Sequence, residues 1–313
     1  MKNILLDTDF GPDCDDVAAL AMLHLYANQG LCNLLGIGHC TSSIYGPGAI
    51  DAVNRYYGRP DIPIGIFEKE GFLDFADCHK FDRYLAENFP HRFRGSRPES
   101  AVAMYRKVLS AQPDGSVTFV AIGPLNNLSA LLDSPPDAFS ALNGIELIRK
   151  KVTQLVLMAG AFPCDDPAVQ KKVLTNFGNE IAAHREFNAV SDLPATRNVM
   201  AHWPTPKIFL GFEAGIVETC GPLQRTLPED HPLRTAYRLY TKNGDRYSWD
   251  LLTVEFAVDP DCGHFKTSPL GTVDFDEAGH TLWQENSQGH DVFIQWAVPE
   301  TVIAADINAF LQQ

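Results

Sequence analysis

The sequence predicts an α/β protein: an open, mostly parallel, Rossmann-like sheet with helices on both faces and a small antiparallel appendage near the carboxyl terminus. Three observations predict it. Short apolar runs alternate with stretches of helical spacing over the first two hundred or so residues; the opening run passes through an acidic, glycine-containing loop straight into a helical pattern; and the alternation gives way to closely spaced strand-like pieces after His264.

The first run, Ile4-Leu5-Leu6, is followed by a helical pattern from Val17 to Leu23, which reads as strand, loop and helix. Asp15 or Asp16 is expected to cap that helix, where unpaired N–H groups and the dipole favour a carboxylate. Further strands are expected at 34–38, 62–66, 117–122, 154–158 and 207–210, with helices at 49–57, 101–111, 125–132 and 195–202. Strands separated by helices need crossover connections, so the sheet should be mostly parallel and covered on both sides. Ligands of such sheets sit beyond the carboxyl ends of the strands.

Segment 71–97 breaks the pattern, with Asp74, Asp77, His79, Lys80 and the basic stretch 92–97, and reads as an inserted surface loop or lid. Short pieces at 271–275, 280–283 and 291–298 form the expected antiparallel appendage before a last helix at 300–311. No Pro/Gly/Ser-rich linker, low-complexity run or fixed-period repeat divides the chain, so 1–313 is read as a single domain.

The composition narrows the function classes. With 45% hydrophobic and 20% charged residues in 313, the chain has the make-up of a folded protein with a substantial core. A formal net charge of −14 argues against a nucleic-acid polymer as partner, since such affinity rests on clustered Lys and Arg. No stretch approaches the roughly 20 apolar residues of a membrane span, and the opening residues run directly into a strand, so neither membrane insertion nor a signal peptide is expected. Seven cysteines, an odd number without CxxC pairs, argue against a disulfide framework and a structural zinc site. A cytoplasmic location is expected.

The chemistry concentrates in the loop after the first strand. Asp7, Asp9, Asp13, Asp15 and Asp16 crowd five carboxylates together, and their repulsion is costly without a cation. Oxygen ligands suit Ca²⁺ or Mg²⁺; the lack of nearby histidine and available thiolate argues against zinc. Gly11 and Pro12 allow the turn that brings carboxylates on either side together.

This loop, reading DTDFGPDCDDVAAL, resembles the amino-terminal DxDxGxDD-type loop of the inosine-uridine nucleoside hydrolase family, with two extra residues between the glycine and the Asp pair. Further matches follow in the family's order: VAIGPLNN from Val120, LVLMAG from Leu155, Glu186-Phe187-Asn188, and Tyr247-Ser248-Trp249-Asp250. The resemblance implies an N-ribosyl hydrolase of the nucleoside hydrolase fold with a calcium ion as cofactor. It makes Asp9, Asp16, Asp250 and the main-chain carbonyl of Ile122 calcium ligands, and Asp15, Glu186 and Asn188 ligands of the ribose hydroxyls. Asp7 and Asp13 are supporting carboxylates, and Glu213 lies behind the site.

The implied mechanism has a calcium-bound water attack the anomeric carbon while Asp9 takes its proton, releasing base and ribose. Many relatives carry beside the closing aspartate a histidine that protonates the leaving base; here the residue is Trp249, which can stack on a ring but cannot serve as a practical acid. His39 and His79 are the candidates to replace it. Phe10, Tyr45, Phe72, Phe162 and Trp249 are candidates to surround the base. The resemblance also implies a small-molecule nucleoside or N-riboside substrate and a homodimer or homotetramer. Two other readings stand beside it: a haloacid-dehalogenase-like phosphatase, because DTD after a strand matches a DxD nucleophile loop, and a calcium-bearing ribose-binding protein without catalysis.

Overall fold

Apolar residues at successive strand positions require a cover on both faces of a sheet, and the fold supplies it. A computed structural model describes residues 1–313. Its strands are β1 (Lys2–Thr8), β2 (Cys32–His39), β3 (Ile64–Ile66), β4 (Glu99–Ser100), β5 (Val117–Ala121), β6 (Val152–Met158), β7 (Lys207–Leu210), β8 (Glu218–Thr219), β9 (Arg246–Tyr247), β10 (Phe265–Thr267), β11 (Gly271–Phe275), β12 (Thr281–Glu285) and β13 (Asp291–Trp296). Its helices are α1 (Asp15–Asn28), α2 (Gly46–Tyr56), α3 (Asp82–Asn88), α4 (Ala101–Ala111), α5 (Asn126–Leu132), α6 (Gly144–Lys151), α7 (Pro167–Phe177), α8 (Phe187–Ser191), α9 (Leu193–His202), α10 (Leu223–Thr226), α11 (Pro232–Thr241), α12 (Trp249–Val258) and α13 (Glu300–Phe310).

The main sheet runs β12-β11-β13-β7-β6-β5-β1-β2-β3-β4, with β10 also paired to β13. From β7 to β4 every pairing is parallel. Alternation along each strand sorts the core into two layers. Ile4 and Leu6 of β1, Val120 of β5 and Val156 of β6 belong to one apolar cluster, and Leu5, Phe119, Leu155 and Leu157 to the other. The first cluster carries α1 and α12, which pack on each other and are buried along most of their length. The second carries α4, α5, α6 and α9.

Several expectations are refined. The antiparallel strands near the carboxyl terminus extend the main sheet rather than standing apart, because β13 lies parallel beside β7 while β11 and β12 pair antiparallel. β3 begins only at Ile64: Pro63 has no N–H for the ladder and instead accepts the Ile37 N–H through its carbonyl. Segment 71–97 holds a 3₁₀ turn at Ala76–Cys78 and α3. α1 is not capped by Asp15 or Asp16: Cys14 stands at the cap position with no side-chain cap, and both carboxylates lie in the first turn, directed to other partners. No helix is long and apolar enough to cross a membrane.

Candidate active site

The parity of β1 separates the first two aspartates. Asp7, two residues after Leu5, shares its face of the strand and meets Tyr105 of α4, whose hydroxyl donates to it; Asn127 Nδ2 donates to the same oxygen at 2.9 Å. Burial pushes the Asp7 carboxyl up to about 7. It does not reach the cavity beyond the strand ends. Asp9, past the end of β1, does. Gly11 then carries the loop tightly past α3, at a φ of 156°, where a Cβ would come within 2.9 Å of the Cys78 carbonyl.

The cavity has a volume of about 480 Å³ and collects Asp9, Asp13, Asp15, Asp16, Ile122, Glu186, Asn188, Trp249 and Asp250 from four separate stretches of chain. Carboxylate oxygens of Asp15, Asp16 and Asp250 lie within 4.8 Å of one another, and all three residues are buried. Thr8 donates its hydroxyl to Asp16 Oδ1, and the Asp250 N–H donates to Asp15 Oδ2 at 3.1 Å. Asp16 Oδ2 is buried with no partner at all. Burial first, and then repulsion from neighbouring carboxylates, holds Asp15, Asp16 and Asp250 well above the usual carboxylate range. The same causes, with Asp13 the strongest repelling charge, push Asp9 up to about 8.

Asp13 is the member with a counter-charge. Arg246 Nε lies 2.9 Å from both of its oxygens and a second guanidinium nitrogen also donates, a bidentate pair that ties the acidic loop to β9 just ahead of Asp250. The guanidinium also lies over the rings of Tyr240, Tyr247 and Trp249, 5.1 Å from the last centroid. An oxygen-only donor set, an unpartnered buried Asp16 oxygen and carboxyls pushed up by burial and by one another fit a hard divalent cation. A second cluster, Glu255, Cys262 and His264, shares the close spacing but not the charge deficit. There His264 lies 3.0 Å from Glu255 and 3.1 Å from Asp306, and these carboxylates hold its imidazole up to about 9.

The opposite wall is set by α8. Glu186 caps that helix, accepting from the N–H groups of Asn188 at 2.7 Å, Ala189 at 2.9 Å and Gly160 at 3.2 Å, and burial raises it to about 7. Asn188 Nδ2 donates to the Met158 carbonyl at 3.1 Å, which leaves its own oxygen free for a ligand. Trp249 donates its indole N–H to the Phe212 carbonyl at 2.8 Å, and the two rings stack at 5.7 Å.

Other candidates fall away from the cavity. His39 is fully buried, its Nε2 near the Phe10 carbonyl and the Thr41 hydroxyl, and burial lowers it to about 4. His79 is held between Asp74 and Asp82. Phe10 packs on Phe81, Tyr45 on His79, Phe72 on Phe67, and Phe162 on Phe293, so of the five proposed aromatics Trp249 alone lines the cavity. Glu213 lies outside it, accepts the Phe162 N–H at 2.9 Å and is raised to about 8 by burial. Segment 71–97 does reach the cavity, through Phe75, Asp77, Cys78 and Lys80. The sequence analysis did not single out Arg246, Tyr240 or His184, although Arg246 immediately precedes Tyr247-Ser248-Trp249-Asp250 and His184 lies two residues before Glu186.

A sequence model described as inosine-uridine preferring nucleoside hydrolase matches residues 4–308. The chain is 28% identical over 213 residues to "Probable uridine nucleosidase 2" of Arabidopsis thaliana, covering 64% of this chain and 60% of that protein. It is 28% identical over 167 residues to the protein of the same name from Oryza sativa subsp. japonica, covering 51% and 46%. The match therefore spans less than two thirds of the length of either relative. Among solved structures, the inosine-uridine preferring nucleoside hydrolase of Bacillus anthracis superposes with a TM-score of 0.71 at 17% identity, over 100% of this chain and 99% of that one. The purine-preferring ribonucleoside hydrolase of Gardnerella vaginalis gives 0.69 at 18%, over 99% of each. The type III effector XopQ, complexed with adenosine diphosphate ribose, gives 0.68 at 15%, over 99% and 93%. At these identities the structural likeness establishes the fold.

Proposed function

The chain belongs to the inosine-uridine preferring nucleoside hydrolase family, and from its site we propose that it hydrolyses the N-glycosidic bond of a ribonucleoside or related N-riboside with a calcium ion as cofactor. The observation that carries this reading is the meeting, in one cavity, of the oxygen-only group Asp15, Asp16 and Asp250 with Glu186 and Asn188. Asp9, Asp16, Asp250 and the Ile122 carbonyl would hold the cation, and Asp15, Glu186 and Asn188 would orient the ribose hydroxyls. When bound, the ion would return the carboxyls to their ionised forms and make a water and the ribose hydroxyls more acidic.

Asp9 takes a proton from the attacking water, a role that requires its carboxylate form. Positive charge develops on the sugar ring as the glycosidic bond stretches, and the surrounding carboxylates favour it. Trp249, Phe212 and Phe177 offer flat apolar surface suited to a planar base. Ribose and free base leave. A cytoplasmic setting rests on the odd number of cysteines without CxxC pairs; a homo-oligomer is the expected assembly, checked by the mass in solution.

The phosphatase reading needs an aspartate nucleophile at the first position of DTD. Asp7 is buried against Tyr105 and Asn127, outside the cavity, and is in no position to attack a phosphate. The deciding experiment incubates purified protein with a panel of purine and pyrimidine ribonucleosides and assays reducing sugar, with and without chelator. Chelator-sensitive release of ribose is the expected result. Activity that survives removal of the metal would overturn the calcium mechanism, and binding without release would leave a ribose-binding protein.

A further inference from the structure

With tryptophan at position 249, the departing base has no proton donor beside Asp250. We propose that His184 supplies that proton, an inference that rests on the N-ribosyl hydrolase reading. Of the ten histidines in the chain, His184 alone lines the cavity. It lies two residues before Glu186, so the segment that presents the ribose-binding side chains also presents an imidazole.

The ring is held by stacking rather than by hydrogen bonds. Its centroid lies 3.6 Å from that of Phe212 with the planes 20° apart, and Phe177 meets it edge-on at 6.1 Å. Phe212 in turn stacks with Trp249, which makes a layered aromatic wall with one polar, ionisable member. His184 Nδ1 is buried and has no hydrogen-bond partner in the protein. That nitrogen is closed off from the cavity, so a bound molecule meets the ring through Nε2, which makes no hydrogen bond within the protein. A planar heterocycle against this wall, with its own ring nitrogens and carbonyls, offers Nε2 an acceptor. Arg246 is committed to Asp13, and the Trp249 indole N–H to the Phe212 carbonyl.

The step balances without another reactant. The bond between the anomeric carbon and the base nitrogen breaks with its electron pair passing to the base, and the protonated imidazole gives its Nε2 proton to a nitrogen or oxygen of the base and is left neutral. The water oxygen bonds to the anomeric carbon and its proton goes to Asp9. Proton exchange with solvent then restores Asp9 and His184.

The test compares wild type, His184→Ala and His184→Gln on a ribonucleoside the wild type cleaves and on 4-nitrophenyl β-D-ribofuranoside, whose phenolate departs without being protonated. The expected result is a fall in kcat of about 10²- to 10⁴-fold on the nucleoside, the range of general-acid catalysis, with KM little changed. The loss on the nitrophenyl riboside should be smaller by at least about tenfold, and added imidazole should restore part of the nucleoside activity of His184→Ala. Equal losses on both substrates, or none on either, would overturn the assignment. Wild-type protein that cleaves neither substrate would instead sink the hydrolase reading on which it rests.

Discussion

Replacing Asp250 by Asn should stabilise the cation-free protein while removing most of the stabilisation that calcium confers. Asp15, Asp16 and Asp250 bring carboxylate oxygens within 4.8 Å of one another in a buried setting. One ionised pair at that separation repels by about 3.5 kcal/mol at an effective dielectric of about 20. Retained protons already relieve part of this, as the raised positions of all three carboxyls imply, so about 1–2 kcal/mol is left for the amide to recover. At roughly 2 °C per kcal/mol for a chain of this size, the melting temperature in EDTA should rise by about 2–4 °C. The sign with pH follows from the upward shift: the carboxyl destabilises the fold increasingly as pH rises above the ordinary value of 3.8 through its folded value, so the gain should be larger at pH 8.5 than at pH 6. Calcium at a hundred times its dissociation constant should add about 2.7 kcal/mol to wild type, and the same calcium concentration less than half of that to the variant. Differential scanning calorimetry with EDTA or calcium chloride reads both effects. A lower melting temperature for Asp250→Asn in EDTA, or an equal calcium gain in the two proteins, would refute the electrostatic account of the cluster.

Asp9→Asn should lower kcat on ribonucleosides by at least about 10²-fold, followed as ribose release, because the amide cannot accept the water proton; unchanged turnover would place the base elsewhere. Arg246→Ala leaves Asp13 half-buried without its bidentate partner and should lower the unfolding free energy by about 1–2 kcal/mol, read from urea midpoints. An unchanged midpoint would count against a structural role for the pair. Stability should fall on the acid side below about pH 6.5, because burial holds His24 and His231 at about 4 and the unfolded chain takes up protons that the fold refuses. His264 carries the opposite sign: held up to about 9, chiefly by its hydrogen bond to Glu255, it contributes stability that is complete below 6.5 and lost as pH rises through 9. Urea midpoints at pH 5, 7.5 and 9.5 measure both limbs, and Glu255→Gln should flatten the alkaline one; an undiminished alkaline fall in that variant would remove His264 as its cause.

The amino-acid sequence by itself determined the layered α/β class, because strand and helix periods are local and survive without knowledge of partners. It also located the acidic loop, Glu186-Phe187-Asn188 and Trp249-Asp250, since each is a short run whose residue types carry chemistry independently of the rest. Tertiary structure alone decided which members of those runs face the cavity. Strand parity turned Asp7 toward Tyr105, while Asp9, past the strand end, lines the cavity. Asp13 acquired its counter-charge from Arg246, 233 residues away, and no local pattern encodes a pairing at that distance. His39 was sealed beneath the loop, and His184, unremarked in the sequence, was brought onto Phe212 and into the cavity. The division has one physical reason: backbone periodicity is set by neighbours in the chain, whereas the direction, burial and charge partner of a side chain at a strand end are set by whichever distant segments the crossovers bring alongside it.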